Sequence, residues 1–395
     1  MKLFKQIGAV TTMSLRSLPQ RAGTSLVIVI GIAGVVAVLV SVLAMSTGMI
    51  KTMERSGRDD RAIVMRNGSA AETGSVLPRD AARLVVDAPG IKLDTDGKPI
   101  VSAEALRVIS LFKKEDGTEV NVAVRGVGKK VAAVRPELKI IAGRMFEPAV
   151  NELIVGRAAH AQFKGLDIGD RVKLRNANWT VVGVFTTGGD AHESALWVDA
   201  ETLLSIDQRS SFQSMTVLLE SPGAYARFKD ALSSNPSLAV EVSREREYYR
   251  RQSETISKVI SVIAYVVGGI MAIGAIFSAL NTMYSAVSAR LREIATLRAI
   301  GFGSTAMVMS VLAEALLLAL IGGVIGAVLA WMFFNGHTVS TSAAGPFGHL
   351  VFDLSVSPAL MAIGIVWACT IGLIGGLFPA VRAARLPVAS ALRAV

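Results

Sequence analysis

Four long stretches of this chain carry almost no charge, and their placement is lopsided. No Asp, Glu, Lys or Arg occurs between Arg21 and Lys51, between Lys258 and Arg290, or between Asp353 and Arg382, and Glu314 is the only such residue from Arg298 to Asp353. A hydrocarbon core of about 30 Å takes about 20 apolar residues to cross as a helix. Each stretch is long enough, so transmembrane helices are expected at 24–47, 259–284, 306–334 and 358–380. The polar residues 48–258 then form one large domain inserted between the first and second helices.

The charge distribution orients this topology. The formal net charge is +10, but residues 48–258 hold 31 Lys+Arg against 28 Asp+Glu. The excess sits in three short segments: Lys2, Lys5, Arg16 and Arg21; Arg290, Arg292 and Arg298 beside Glu293; and Arg382, Arg385 and Arg393. In a four-span topology all three lie on one side. Short basic segments stay in the cytoplasm, which places both termini inside and the large domain outside. The basic pieces are read as topology signals facing lipid headgroups, and nucleic-acid binding is excluded. The first apolar run is about twice a secretory h-region of roughly 7–15 residues and is followed by no clear cleavage site, so it reads as a retained signal-anchor.

Chemistry-bearing motifs are absent. The single Cys369 lies in the fourth span, and His160, His192, His337 and His349 are scattered. No nucleophile motif is present, and isolated Ser, His and Asp residues read as surface groups. Neither Gly97-Lys98-Pro99 nor Gly126-Val127-Gly128-Lys129-Lys130 completes a phosphate-binding G-x-x-x-x-G-K-[ST] loop. Thr186-Thr187-Gly188-Gly189-Asp190 reads as an ordinary turn. No catalytic, cofactor or metal site is expected, and ATP hydrolysis must come from a partner.

The large domain reads as mixed α/β. Short β-branched runs predict strands at 62–65, 121–126, 171–174, 179–185 and 214–219, and helices are expected around 78–87 and 223–233. Residues 144–206, with Asn151 to Gly156 and a later hairpin, predict an inserted β-rich subdomain. From Ser243 to Ser288 there is no proline, Ser243 can cap a helix start, and Glu247 and Arg251 form a favourable i,i+4 pair. A continuous helix of about 65–70 Å at 1.5 Å per residue, extending beyond the bilayer as a stalk, is favoured over two helices broken near Gln252-Ser253. Residues 335–357 are expected as a short external loop.

Small residues recur at four-residue spacing: Ala33, Ala37 and Ser41; Gly322, Gly326 and Ala330; Gly364, Ala368, Gly372 and Gly376. Such stripes let membrane helices approach closely. Glu314 lies inside a span, where a carboxylate is costly. It reads either as part of a proton or ion relay or as a structural group paired with an arginine of 290–298, and the second reading is favoured because no other acid accompanies it.

The cytoplasmic pieces carry the most specific pattern. Arg290-Leu291-Arg292-Glu293-Ile294-Ala295-Thr296-Leu297-Arg298-Ala299-Ile300-Gly301-Phe302 predicts a short amphipathic helix stopped by Gly301, with Ile294, Leu297 and Ile300 along one apolar edge. The residues alone also fit a plain basic interfacial helix. The tail Gly376-Leu377-Phe378-Pro379-Ala380-Val381-Arg382-Ala383-Ala384-Arg385-Leu386-Pro387 runs on to Ala391-Leu392-Arg393. Together these resemble the FtsX-like permease domain of the MacB/LolC family of ABC transporters, with Pro387 one place earlier than the family pattern. Glu314 to Leu318 followed by Gly322-Gly323 and Gly326 resembles that family's third helix, and Ser17-Leu18-Pro19-Gln20-Arg21-Ala22-Gly23-Thr24 its approach to the first. Ala142 to Phe146, Val155-Gly156 and Val181 to Phe185 resemble its periplasmic core.

The resemblance implies a permease subunit of the bacterial inner membrane that works as a dimer, with a second copy or a paralogue, on a separate ABC ATPase that binds ATP and Mg. Arg290, Arg292, Glu293, Ile294, Leu297, Arg298, Gly301 and Phe302 would form the coupling helix, with Glu293, Leu297, Arg298 and Gly301 as its transmission contacts. Gly322, Gly326, Gly364, Ala368, Gly372 and Gly376 would pack the helices. ATP-driven motion of the periplasmic domain would export a periplasmic substrate through an adaptor and an outer-membrane channel. Release of lipoproteins from the outer leaflet, or non-transporting regulation of a cell-wall hydrolase, are the alternatives.

Overall fold

The computed structural model of the chain describes residues 22–342 and 349–385, together with Gly8, Thr11 and Thr12. Lys2, Lys5, Arg16 to Arg21 and the tail from Leu386 through Arg393 lie outside the described residues. The described chain runs α1 (Ala22–Ser56), β1 (Arg61–Arg66), α2 (Arg79–Val86), β2 (Val101–Phe112), β3 (Glu119–Val127), α3 (Val131–Val134), β4 (Lys139–Gly143), β5 (Glu152–Gly156) and α4 (Arg157–Gln162). It continues through β6 (Arg171–Leu174), β7 (Ala177–Thr186), β8 (Leu196–Asp199), α5 (Ala200–Asp207), β9 (Ser214–Leu218), α6 (Ala224–Ser233) and β10 (Val240–Arg244). Then follow α7 (Glu245–Ala289), α8 (Leu291–Ala299), α9 (Ser304–Phe334), β11 (Thr338–Ser342), β12 (His349–Asp353) and α10 (Pro358–Arg385). Two compact units result, one within Met1–Thr47, Lys258–His337 and Leu354–Val395, the other within Gly48–Ser257 and Thr338–Asp353.

In the first unit α1, α7, α9 and α10 are each long and apolar enough to cross a bilayer. Lipid offers no hydrophobic drive between helices, so contact depends on close packing of small residues. A Cβ on Gly326 would lie 2.4 Å from the carbonyl oxygen of Ala33, and one on Gly322 would lie 2.8 Å from that of Val29. Both glycines therefore let α9 touch the backbone of α1. Gly364 packs on Val36 and Val40, Ala368 against Gly323, Gly372 on Ala319, and Gly376 on Ala315. The stripes on α9 and α10 are thus intramolecular contact lines.

The second unit is built on a ten-stranded sheet of order β10-β1-β9-β2-β3-β8-β5-β7-β4, with β6 paired to β7. The long strand β2 joins its two parts: Val101 to Glu104 pair with β9, and Ala105 to Phe112 pair with β3. Most pairings are antiparallel, but β3 with β8 and β5 with β7 are parallel. One apolar cluster runs through the sheet from Val64 on β1 to Trp179 on β7. β-branched residues dominate the buried strand positions, as expected where side chains pack on a pleated surface.

Residues 144–206 supply β5 to β8, and the pairing of β8 with β3 joins them to the same hydrogen-bonded path as the other strands. Two expectations are corrected. Ser243 does not cap the stalk: it sits in β10 opposite Ile63, and the helix begins at Glu245. The segment 335–357 is more than a loop, since β11 and β12 form an antiparallel hairpin within it. The stalk helix α7 runs unbroken for 45 residues, with Glu247 held 2.9 Å from Arg251.

Candidate functional site

The short helix α8 is set off from its neighbours by local backbone chemistry. Arg290 leaves helical geometry at φ −107° and separates α8 from α7. Gly301, at φ +99°, ends the turn, and the N–H groups of Gly301 and Phe302 donate to the carbonyls of Arg298 and Leu297. A left-handed residue at this position suits glycine because it has no Cβ to clash.

Two faces of α8 differ. Ile294 and Ala295 are buried, and Leu297 and Phe302 pack partly against the same apolar cluster as Met307 and Val311 of α9. Arg292, Glu293, Ala299 and Ile300 are exposed, Ile300 at 69%. Arg298 is half-buried. The inner face is fastened by an ion pair: the Arg290 guanidinium donates to Glu314 on α9 at 2.9 Å, and both side chains are buried. Removing one partner of such a pair strands a charge and typically costs about 3–5 kcal/mol. A cavity of about 560 Å³ opens along one flank of the helix, between α7, α8 and α9, and is lined by the exposed Arg292 and Glu293 as well as by Arg290, Ile294 and Glu314.

This geometry sorts the predicted coupling residues. Arg292, Glu293 and Gly301 lie on the outside, and Leu297, Arg298 and Phe302 lie at its margin. Arg290 and Ile294 face inward and anchor the helix, because Glu314 draws the guanidinium into the bundle. Ile294, Leu297 and Ile300 do not share one buried edge, since Ile300 lies past the end of α8 and faces away. Of the two readings of Glu314, the structure contains the pairing with an arginine of 290–298.

A second constellation, in the sheet unit, went unrecognised in the sequence. Glu245, the first residue of α7, is fully buried and takes Arg135 at 2.6 Å and Arg61 at 2.5 Å. Arg125, also buried, bridges Glu72 at 2.8 Å and Glu104. Tyr248 accepts from the Glu72 N–H at 3.2 Å. Three buried arginines thus meet three buried glutamates inside the domain, and Arg61 also pairs with the half-buried Glu137 at 2.5 Å. Burial alone would raise the Glu72 carboxyl, but the Arg125 guanidinium outweighs it and holds the group below its ordinary value. His192 and Asp190, read as surface groups, are buried as well. The His192 Nδ1 lies 3.0 Å from Asp190 and its Nε2 3.0 Å from the Tyr249 hydroxyl. A neutral ring donating from Nδ1 and accepting at Nε2 satisfies both partners. Burial and the nearby Arg135 push the His192 pKa well down, and burial pushes the Asp190 carboxyl up to about 6. No sequence signal marks this constellation, because its charged residues are scattered from Arg61 to Glu245 and each reads as a solvated group.

Residues 22–235 match the family model of the MacB-like periplasmic core domain, and residues 265–388 match that of the FtsX-like permease C-terminal domain. The chain belongs to the MacB/FtsX-like family of ABC transporter permeases. This permease is a multi-pass membrane protein with a periplasmic domain. It is 24% identical over 410 residues to the macrolide export ATP-binding/permease protein MacB of Bdellovibrio bacteriovorus, covering 94% of this chain and 59% of that protein. An uncharacterized ABC transporter permease of Methanocaldococcus jannaschii is 27% identical over 248 residues, covering 60% of each. The MacB of Nitrobacter winogradskyi is 37% identical over 149 residues, covering 38% of this chain and 21% of that one. The chain therefore spans 60% or less of the length of these relatives. Among solved structures, the periplasmic region of MacB from Actinobacillus actinomycetemcomitans is similar with a TM-score of 0.37 and 17% identity, covering 54% of this chain and 97% of that one. The extracellular domain of the noncanonic ABC-type transporter YknZ from Gram-positive bacteria gives 0.34 and 18%, covering 46% and 99%.

Proposed function

We propose that this permease is the membrane component of an ATP-driven exporter of the bacterial inner membrane, with both termini cytoplasmic. The observation that carries the reading is the two-faced helix α8. Its inner face is anchored by Arg290 and Glu314, while its outer face presents Arg292, Glu293 and Ile300 to a partner. A nucleotide-binding partner that binds ATP and Mg docks on that face. Its closure shifts α8 as a rigid piece, because breaking the buried pair is costly. The 45-residue helix α7, directly before α8 in the chain, carries the shift toward Glu245 and the periplasmic sheet. A second copy of the chain or a related permease completes the pair. The cargo is a periplasmic small molecule or peptide, passed to an adaptor and an outer-membrane channel. Export is favoured over lipoprotein release and over hydrolase regulation because the relatives matched over nearly the whole chain are macrolide export proteins.

The test is affinity purification of this chain from its native membrane, followed by mass spectrometry. An ABC ATPase together with an adaptor and an outer-membrane channel is the expected recovery. Lipoproteins or a cell-wall hydrolase in place of the adaptor would replace export with one of the alternatives. Recovery without any ATPase would end the transporter reading.

A further inference from the structure

Between β7 and β8 lies a single 3₁₀ turn, Ala191–Ser194, in which every residue is buried. Three of its four residues hold three segments that are far apart in the sequence. The Ala191 N–H donates to the Ser56 hydroxyl, on the last residue of α1, at 2.9 Å. His192 Nε2 accepts from the Tyr249 hydroxyl, in the second turn of α7, at 3.0 Å. The Ser194 hydroxyl accepts from the Val351 N–H of β12 at 3.0 Å. These segments are the last turn of α1, the start of α7 and the hairpin that joins α9 to α10. In chain connectivity they lead into all four membrane-spanning helices, and all three contacts lie within the sheet unit.

The turn itself has little freedom to move. Glu193 Oε1 accepts from Thr187 N–H and Gly189 N–H, both at 2.8 Å, and from the Thr186 hydroxyl at 2.5 Å. A Cβ on Gly156 at the end of β5 would lie 2.1 Å from the Glu193 carbonyl oxygen, so strand and turn are in direct backbone contact. Asp190 caps the turn by accepting from the His192 N–H at 3.0 Å and from its ring. A buried, cross-braced turn deforms less readily than it moves as a piece.

We propose that the Ala191–Ser194 turn is the junction through which movements of the membrane helices are combined and passed to the periplasmic sheet, with His192 and Ser194 as its positioning residues. The inference rests on the exporter reading for its consequence, but not for its geometry. A displacement of α7 reaches His192 through Tyr249 and is shared within one turn of backbone with the α1 end and the hairpin. Each hydrogen bond is modest alone; their adjacency makes the three segments respond together.

Hydrogen exchange of the full chain in lipid nanodiscs tests the geometry without any ATPase. Tyr249→Phe keeps the ring and removes the hydroxyl that reaches His192. A junction requires exchange at the amides of Ala191 and Val351 to rise about fivefold, the size expected for losing one hydrogen bond. Unchanged exchange at both would overturn the proposal. Ser194→Ala extends the test from the hairpin side and is expected to speed exchange at the Ala191 amide. Ser194→Thr, which retains the hydroxyl, is expected to restore it. With the ATPase present, the Tyr249→Phe and Ser194→Ala double variant is expected to keep basal ATP hydrolysis and partner binding while losing most substrate-stimulated turnover. Full stimulation in that variant would remove the junction from the transport cycle. Failure of wild-type protein to engage any ATPase would instead strike the exporter reading and leave the exchange result standing.

Discussion

Glu245 shows how much depends on where a charge is placed. It opens α7, is fully buried, and lies between Arg135 and Arg61. Glu201 pairs with Arg79 at 2.5 Å, but both side chains are exposed. Removing a buried partner leaves guanidinium charge with no water to solvate it, a cost of about 3–5 kcal/mol, whereas an exposed pair contributes about 0–1 kcal/mol. Glu245→Ala is therefore expected to lower the unfolding free energy of the periplasmic domain by about 3 kcal/mol or more. Glu201→Ala should stay within about 1 kcal/mol. Chemical denaturation followed by near-UV circular dichroism of the domain's buried Trp179 and Trp197 reads both. Equal effects from the two substitutions would mean that the buried cluster is hydrated and exerts no hold on the stalk. None of this was visible in the linear sequence. Glu72, Glu104, Arg125, Arg135 and Glu245 are spread along the chain, each among residues that read as a polar surface, and only the fold brings them together.

At the scale of elements, α8 divides its work between an anchored and a presented face. Its outer face carries Glu293, and Arg298 sits at its margin, so reversing both charges leaves the net charge unchanged while inverting the local pattern. Glu293→Arg with Arg298→Glu is expected to reduce permease-stimulated ATPase turnover about tenfold or more, since like charges brought together at an interface cost several kcal/mol. Membrane insertion should be retained, because the Arg290 and Glu314 anchor is untouched. Normal stimulation in a reconstituted pair of permease and ATPase would remove α8 as the coupling element. This helix was legible because its signals are local: an arginine-rich amphipathic pattern and a terminating Gly301. The spanning helices were legible for a similar reason, as gaps in charge. Elements whose logic is tertiary were not. β2 holds Glu104 and Arg107, which argue for a surface, yet Glu104 is buried by its pairing with Arg125. β8 is four residues long and gains its place only between β3 and β5. β10 carries Glu241 and Arg244 and sits at one end of the sheet, paired with β1. A pairing of Glu314 with an arginine of 290–298 was legible, but not which arginine, because the partners lie 24 residues apart in the chain.

The molecule as a whole is two units with separate apolar interiors. The largest cluster of the sheet unit draws its buried members from Ala62 to Val242, and that of the helical unit from Ile28 to Val40, Ala264 to Ala330 and Val356 to Ala383, among others. Neither cluster needs residues of the other. A domain of about 200 residues buries enough apolar surface to fold without disulfides. The charged cluster is also self-contained: Arg61, Glu72, Glu104, Arg125, Arg135 and Glu245 all fall within residues 48–257. The fragment 48–257 is therefore expected to be soluble and monomeric, with native near-UV circular dichroism and a single cooperative unfolding transition. It lacks the hairpin of β11 and β12, so the Ser194 hydroxyl loses the Val351 amide while Ala191 keeps Ser56 and His192 keeps Tyr249. Exchange in the fragment should match that of the full chain along β1, β5 and β9 and exceed it locally around Ser194. A fragment with secondary structure but no fixed tertiary signal would show that the helical unit completes the fold, and that the sheet is not a body that the membrane helices can move as one piece.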